Sequence, residues 1–129
     1  MSPTFVETSD PSTSWPKDPN QPSNPSVTDV RSDRPRLIAP AYKWDALPEL
    51  IKNDPYLSYW NETIFGNATA LLSMDAVAYV MDGDSGILDN AREIKQRVKI
   101  LSYAYRMTKD SKWADRAWRE IAVCASSIS

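Results

Sequence analysis

The chain contains no histidine among its 129 residues, and this absence excludes several kinds of site. Without an imidazole there is no histidine base, no serine–histidine pair and no histidine ligand for zinc. The carboxylates are scattered, mostly at helix caps or on polar helix faces, which is typical of structural roles. We therefore expect no metal and no cofactor.

Cysteine and glycine are almost as scarce, with one cysteine and three glycines. A single cysteine forms no internal disulfide. Cys124 lies near an apolar helical stripe, which is typical of a small core residue rather than of a nucleophile. Three glycines are too few for a glycine-rich loop of the kind that cradles phosphates.

Long apolar runs are absent as well. The first ten residues have neither the basic start nor the apolar run of a secretory signal peptide, and no stretch is long enough to span a bilayer. We expect no membrane partner, and a chain that is either cytosolic or begins after a removed leader. The formal net charge of -2 argues against a nucleic-acid partner.

Prolines divide the chain, because eight of the ten lie in the first 40 residues among Ser, Thr, Asp and Asn. Such a segment has too little apolar surface to offset the entropy of ordering it. We predict a disordered tail over residues 1–33 and an α-helical hairpin domain over residues 34–129.

Four helices are predicted in that domain. The first covers 43–52. The second covers 55–74 and starts from an aspartate cap, Asp54, followed by proline. Asn90 and Glu93 have the spacing of a capping box at the start of the third helix, and Asp110 caps a fourth that continues to about residue 126. The fold class is therefore all-α.

The third and fourth helices form a hairpin with an apolar stripe on each. Ile94, Val98, Leu101 and Tyr105 step along the third helix, and Ala117, Trp118, Ile121 and further alanines follow on the fourth. The short turn makes the helices antiparallel neighbours, so Trp118 and Ile121 should pack against Leu101 and Tyr105. Helix faces left uncovered predict self-association.

Two surface features have a functional interpretation. The first is a basic stripe on one face of the third helix, with the members Arg92, Lys95, Lys99 and Arg106. Further basic residues follow on the fourth helix, namely Lys112, Arg116 and Arg119. The spacing of the stripe is that of a solvated helix face, and its functional interpretation is a surface for an acidic polymer. The second is the excess of Trp and Tyr over Phe, which suits half-wet surfaces that stack on sugars, with Tyr59 and Tyr103 as candidate contacts.

Two N-glycosylation sequons occur within the second predicted helix. Asn61-Glu62-Thr63 and Asn67-Ala68-Thr69 both match the acceptor pattern. Chance matches are the alternative interpretation, because both fall inside a helix and Asn67 is close to the apolar stripe.

In this order, the segments resemble the opening of the heparinase II/III and alginate-lyase-like polysaccharide lyases. The resemblance covers residues 34–125. It rests on Arg-Pro-Arg-Leu-Ile at 34–38, on Asn-Asp-Pro-Tyr-Leu at 53–57, and on Tyr-Ala-Tyr-Arg-Met-Thr-Lys-Asp-Ser-Lys-Trp-Ala-Asp-Arg-Ala at 103–117. In the last segment Lys109 replaces the usual glycine and Trp113 the usual tyrosine. The hairpin pattern also occurs in other α/α toroids and resembles tetratricopeptide-type helix pairs.

The resemblance implies the first hairpins of an incomplete α/α toroid, in an extracellular enzyme that cleaves an acidic polysaccharide by β-elimination. In that family tyrosine and histidine move the protons, and asparagine or arginine neutralises the uronate. Those residues lie in motifs beyond this chain, so no catalytic residue is carried over and the chain alone should be inactive. Low-affinity substrate binding is expected at Tyr59 and Tyr103 and along the basic stripe. The alternative is a non-enzymatic, tetratricopeptide-like module that binds a protein partner.

Overall fold

The computed structural model describes residues 14–21, 24, 26, 28, 30–81 and 83–126. Four α-helices and one short 3-10 turn at Gly83–Ser85 form the regular structure of these residues, and no strand occurs among them. The predicted all-α class is confirmed. Residues 1–13, the first part of the predicted tail, lie outside the described residues, and the 1–33 boundary stays a prediction.

The chain divides into two compact units, residues 1–59 and 60–129. In the first unit, helix α1 spans Ala41–Asn53, so it starts two residues earlier and ends one later than predicted. Leu50 is its buried residue. Before this helix the Arg31 guanidinium bonds Asp18 at 2.6 Å and Asp33 at 2.7 Å, which links two parts of the non-helical segment.

Helix α2 spans Pro55–Leu72 and begins at the predicted cap. The Asp54 carboxylate accepts hydrogen bonds from the backbone N–H groups of Tyr56 and Leu57 at 2.9 and 3.4 Å, which satisfies two of the free donors that open the helix. The helix ends at Leu72, two residues before the predicted end. Its buried residues, Ala68 and Leu71, belong to the second unit.

The second unit packs the C-terminal part of α2 against a hairpin formed by α3 (Leu88–Thr108) and α4 (Ser111–Ser126). All three helices contribute to one apolar cluster, whose buried members are Ala68, Leu71, Leu101, Ala104, Trp113 and Ala117. The Phe65 ring contacts the Tyr103 and Trp113 rings edge to face, with centroid distances of 6.0 and 6.1 Å. Aromatic contacts therefore join α2 to both arms of the hairpin.

The turn between α3 and α4 consists of Lys109 and Asp110. Lys109 is left-handed, with φ 60° and ψ 15°, and its N–H bonds the Tyr105 carbonyl, a common way to end a helix. The Asp110 carboxylate then accepts the Lys112 N–H at 3.1 Å, as predicted for a cap.

Lys109→Gly should therefore stabilise the chain by about 0.5–1 kcal/mol. Removing the side chain relieves a strain of about 1–2 kcal/mol in the left-handed region. The larger entropy of glycine in the unfolded state cancels roughly 0.5–1 kcal/mol of that gain. Urea unfolding measures the change. Arg119→Gly, an exposed position inside α4, is the matched control and should destabilise by about 1 kcal/mol. Equal effects of the two substitutions would contradict the left-handed geometry.

The predicted capping box at the start of α3 is wrong. The helix begins at Leu88, and no side chain caps its first turn. The Asn90 side chain donates instead to the Val80 carbonyl, and Glu93 pairs with Arg97. Tertiary partners have taken both side chains that the local pattern assigned to the cap.

The predicted packing of α4 is also wrong in register. Trp118 is 66% exposed, and Ile121 and Tyr105 are exposed as well, so these residues do not pack into the core. The buried face of α4 carries Trp113, Arg116, Ala117 and Glu120. Because two charged residues occupy core positions, the apolar pattern alone selects the wrong face. A second stripe, Ala114, Trp118, Ile121 and Ala125, is left exposed, and it is named the open face of α4 below.

Among the described helices, none combines the length and the apolar character needed to cross a membrane.

Candidate functional site

The predicted basic stripe forms one face of α3, here called the cationic face. Its members are Arg92, Lys95, Lys99 and Arg106, of which the first three are exposed and Arg106 is half-buried. At about 1.5 Å of rise per residue the row extends for about 21 Å. The buried residues of α3, such as Arg97 and Leu101, lie on the other side of the helix.

Few carboxylates neutralise this face. Arg92 bonds Asp89 at 3.4 Å, with both side chains well exposed, so that interaction is weak. Glu93, the other acid in this part of α3, is held by Arg97 at 2.6 Å. Within the described part of the chain no ion pair involves Lys95 or Lys99. These two ammonium groups therefore project uncompensated positive charge into solvent.

Tyr103 lies on the edge of the cationic face that adjoins α2. Its hydroxyl donates to the Asn61 side-chain oxygen at 2.7 Å, so the structure brings together a predicted sugar contact and a predicted glycosylation site. Tyr103 is half-buried, and burial raises the pKa of its phenol. At neutral pH Tyr103 is therefore a protonated hydrogen-bond donor rather than a base.

The other predicted residues are dispersed. Tyr59 lies on α2 in the first unit and is 63% exposed. Asn67 is exposed on α2 in the second unit. Lys112 and Arg119 are exposed on α4, but Arg116, which the sequence placed with them on a basic surface, is only 1% exposed. The basic surface of α4 is therefore smaller than predicted.

Arg116 belongs instead to a buried ion cluster, formed with Arg97 and Glu120. The Glu120 carboxylate is fully buried and accepts hydrogen bonds from Arg97 at 2.8 Å and from Arg116 at 2.9 Å. Its other oxygen accepts the Val77 backbone N–H at 2.9 Å. One carboxylate thus joins α3, α4 and the segment that follows α2.

Both guanidinium groups also bind backbone carbonyls, in the last turn of α2 or in the segment that directly follows it. Arg116 donates to the Leu71 carbonyl at 2.6 Å and to the Met74 carbonyl at 3.0 Å, and Arg97 donates to the Asp75 carbonyl at 2.7 Å. The last carbonyls of a helix lack partners within it and carry partial negative charge. The cluster therefore caps α2 and fixes the path of the chain as it leaves the helix.

The cluster has a structural role and shows no sign of acid–base chemistry. Burial alone raises the pKa of Glu120, but the hydrogen bonds from Val77, Arg97 and Arg116 outweigh it and hold the pKa below its ordinary value. The carboxylate therefore stays ionised at neutral pH. A general acid or base would need a pKa near the working pH.

The sequence carried a partial signal for this cluster. Arg116 and Glu120 are spaced i, i+4 on α4, and they fall on the same helical face as Trp113 and Ala117. Glu93 and Arg97 have the same i, i+4 spacing on α3. Such pairs are usually exposed, so the spacing alone favours a surface position. The pair is buried because backbone groups remote in sequence bond it: carbonyls of Leu71 and Met74 accept from Arg116, and the Val77 N–H donates to Glu120.

Cys124 is half-buried near the end of α4, on the wall of a small apolar cavity of about 120 Å³. Other residues of that wall are Tyr79, Ile87, Ile94 and Val123. The position agrees with a small packing residue. Among the described residues, no group of three or more His, Cys, Asp or Glu side chains could hold a metal ion.

Comparison with protein-family models, curated proteins and solved structures found no match to this chain.

Proposed function

We propose that this chain is the N-terminal part of an α/α toroid of an extracellular polysaccharide lyase, and that the cationic face of α3 binds its acidic polysaccharide. The observation that carries the proposal is the row of four cations on one side of a single helix, three of them exposed and Arg106 half-buried. A linear polyanion can contact such a row at several points simultaneously. Neutral sugars and uncharged peptides would gain nothing from it.

The surroundings of the row suit a sugar chain. Lys95 and Lys99 project free ammonium groups, while Tyr103 adds an aromatic ring and Asn61 a polar amide at the edge that adjoins α2. Carbohydrate sites combine charged or polar groups with half-wet aromatic side chains, because sugar rings have both hydroxyl edges and apolar faces. The arrangement therefore supports a carbohydrate with carboxylate or sulfate groups.

The open face of α4 supports the toroid part of the proposal. A helix at the end of a finished bundle needs only one apolar face, yet α4 has a buried face and, separately, exposed Trp118 and Ile121. In stacked helical hairpins each unit covers its neighbour, so a middle unit has apolar contacts on two sides. The left-handed Lys109 adds support, because it occupies the glycine position of the resembling lyases.

The proposed reaction of the whole enzyme is β-elimination. A base removes the C5 proton of a uronate, the glycosidic oxygen leaves from C4 and takes a proton, and a C4–C5 double bond forms. In this reaction the described residues would bind the polysaccharide rather than move protons. Glu120 is held by two arginines, and Tyr103 is a protonated hydrogen-bond donor, so neither is available as the base. We assign no catalytic residue in this chain.

A second candidate function is a helical-hairpin module that binds a protein partner. The open face of α4 favours it, because Trp118 is exposed there beside Ile121 and tryptophan is a frequent anchor of protein interfaces. The two candidates differ in what they require. Polysaccharide binding depends on Lys95 and Lys99, whereas helix docking depends on Trp118 and Ile121.

The test is binding of alginate, heparin and chondroitin, with neutral dextran as the control polymer, by calorimetry over a salt series. The chain should bind the acidic polymers and not dextran, with an affinity that falls as salt screens the charges. Lys95→Gln combined with Lys99→Gln should weaken binding by roughly two- to thirtyfold, since each exposed ion pair contributes about 0.2–1 kcal/mol.

The matched control removes the same charge elsewhere. Lys17→Gln combined with Lys52→Gln takes two exposed lysines from the first unit and should leave binding within about twofold. Equal losses in both double variants would mean that net charge alone attracts the polymer. An affinity that changes neither with salt nor with the Lys95→Gln and Lys99→Gln substitutions would contradict the proposal and favour the protein-binding module.

A further inference from the structure

The two sequons on α2 differ in their surroundings although they lie only six residues apart. We propose that Asn67 carries an N-linked glycan in the secreted protein, and that Asn61 carries none in the folded chain. The inference rests on the extracellular location in the proposed function. The difference between the two asparagines lies in the geometry of α2 and does not involve the polysaccharide.

Asn67 has room for a glycan. It is exposed near the middle of α2, next to Gly66, where an added Cβ would meet no atom within 4 Å. Ala70, one turn further on, is exposed and small. The Thr69 hydroxyl bonds the Phe65 carbonyl of its own helix, so the sequon is not tied to another element. A bulky, hydrated sugar attached here would extend into solvent.

Asn61 is committed to the fold. Its side-chain oxygen accepts the Tyr103 hydroxyl at 2.7 Å, and the Tyr103 ring lies against Phe65, which contacts the buried Trp113. A glycan is attached to the nitrogen of the same amide whose oxygen makes this bond. The sugar would therefore crowd the contact between α2 and α3. Chains modified at Asn61 should fold poorly and be depleted from the secreted protein.

The chemistry is the transfer of an oligosaccharide from a polyprenyl-pyrophosphate donor supplied by the host. The Asn67 amide nitrogen attacks the anomeric carbon of the first sugar, gives one proton to a base of the host's transferase and forms the N–C1 bond. The C1–oxygen bond to the donor breaks, and the polyprenyl pyrophosphate leaves with the electron pair. No oxidant or reductant is needed.

A glycan at Asn67 also limits which surfaces of the second unit can be covered. The exposed side of α2 around Asn67 would remain in solvent, because a glycan prevents close helix packing there. Any further helix that packs against this unit would then have to use a different surface. The open face of α4 supplies one, with Trp118 and Ile121 exposed.

To test this, the full chain is given a signal peptide and secreted from a eukaryotic host. Its intact mass is then measured before and after treatment with peptide N-glycosidase. We expect one glycan per chain. Asn67→Gln should remove it, and Asn61→Gln should retain it. Thr69→Ala destroys the Asn67 sequon and should also remove the glycan, whereas Thr63→Ala destroys the Asn61 sequon and should retain it. Both leave the asparagines in place, so they check that the results do not come from misfolding of the asparagine variants.

A folded, secreted chain without any glycan would overturn the proposal. So would a glycan at Asn61 in chains whose helical circular dichroism and melting temperature match those of the unmodified protein. Polysaccharide binding is measured on unglycosylated chain, so loss of that activity and failure of this inference are distinguishable.

Discussion

Replacing Glu120 with alanine is expected to lower the free energy of unfolding by about 3–5 kcal/mol, a large part of the total stability of a chain of this size. The reason is that Arg97 and Arg116 would stay buried without their carboxylate, and the Val77 N–H would lose its acceptor. Thermal and urea unfolding followed by circular dichroism measure the loss. At 25 °C the variant should be partly or wholly unfolded.

The matched control for this prediction is Glu93→Ala. Glu93 also pairs with Arg97, at 2.6 Å, but its side chain is about half exposed. Solvent replaces an exposed carboxylate readily, so its removal should cost about 1 kcal/mol or less. If the two variants lose the same stability, the buried cluster is not what holds α3 and α4 to the end of α2.

The second large effect is expected at Trp113, which is 5% exposed and packs edge to face on Phe65. Trp113→Ala should cost about 3–5 kcal/mol, because it removes a large buried side chain and leaves a cavity between α2 and α4. Trp118→Ala should change stability by no more than about 0.5 kcal/mol, as is usual for exposed positions. Melting temperatures of both variants measure the difference.

Comparing the two tryptophan variants shows which face of α4 is buried. The two residues differ by five positions on one helix, so a rotation of the helix would exchange their surroundings. A larger loss at Trp118 than at Trp113 would show that the apolar stripe read from the sequence is the packed one. The buried ion cluster would then have to lie at the surface.

The local signals in the sequence predicted the helices well. Asp54 and Asp110 cap α2 and α4 as expected, because a cap depends only on residues two or three positions away. Asn90 had the same kind of signal and failed, since the Val80 carbonyl, ten residues earlier, takes its amide. Local patterns hold until a tertiary partner competes for the same side chain.

The face of α4 could not be predicted from apolar periodicity. Arg116 is buried because it donates to the Leu71 and Met74 carbonyls, and Glu120 because it accepts the Val77 N–H and two guanidinium groups. The backbone partners come from residues more than 40 positions away. Burial of a charge is favourable only when its partners are in place. A single sequence does not show where those partners lie.

In the candidate site, too, one feature could be predicted from local sequence and another could not. The cationic face follows from spacing along α3 alone, and the structure places its residues as that spacing predicts. The Tyr103–Asn61 hydrogen bond joins residues 42 positions apart, so no local pattern predicts it. It was this long-range contact that gave the two sequons different surroundings.

The most direct measurement of the central claim is an NMR titration of the 15N-labelled chain with alginate oligosaccharides. If the cationic face binds acidic polysaccharide, amide shift changes should concentrate along α3 from Arg92 to Arg106, with Tyr103 among them, and should shrink as salt is added. Changes confined to the Trp118 and Ile121 side of α4, or no changes at millimolar oligosaccharide, would contradict the account.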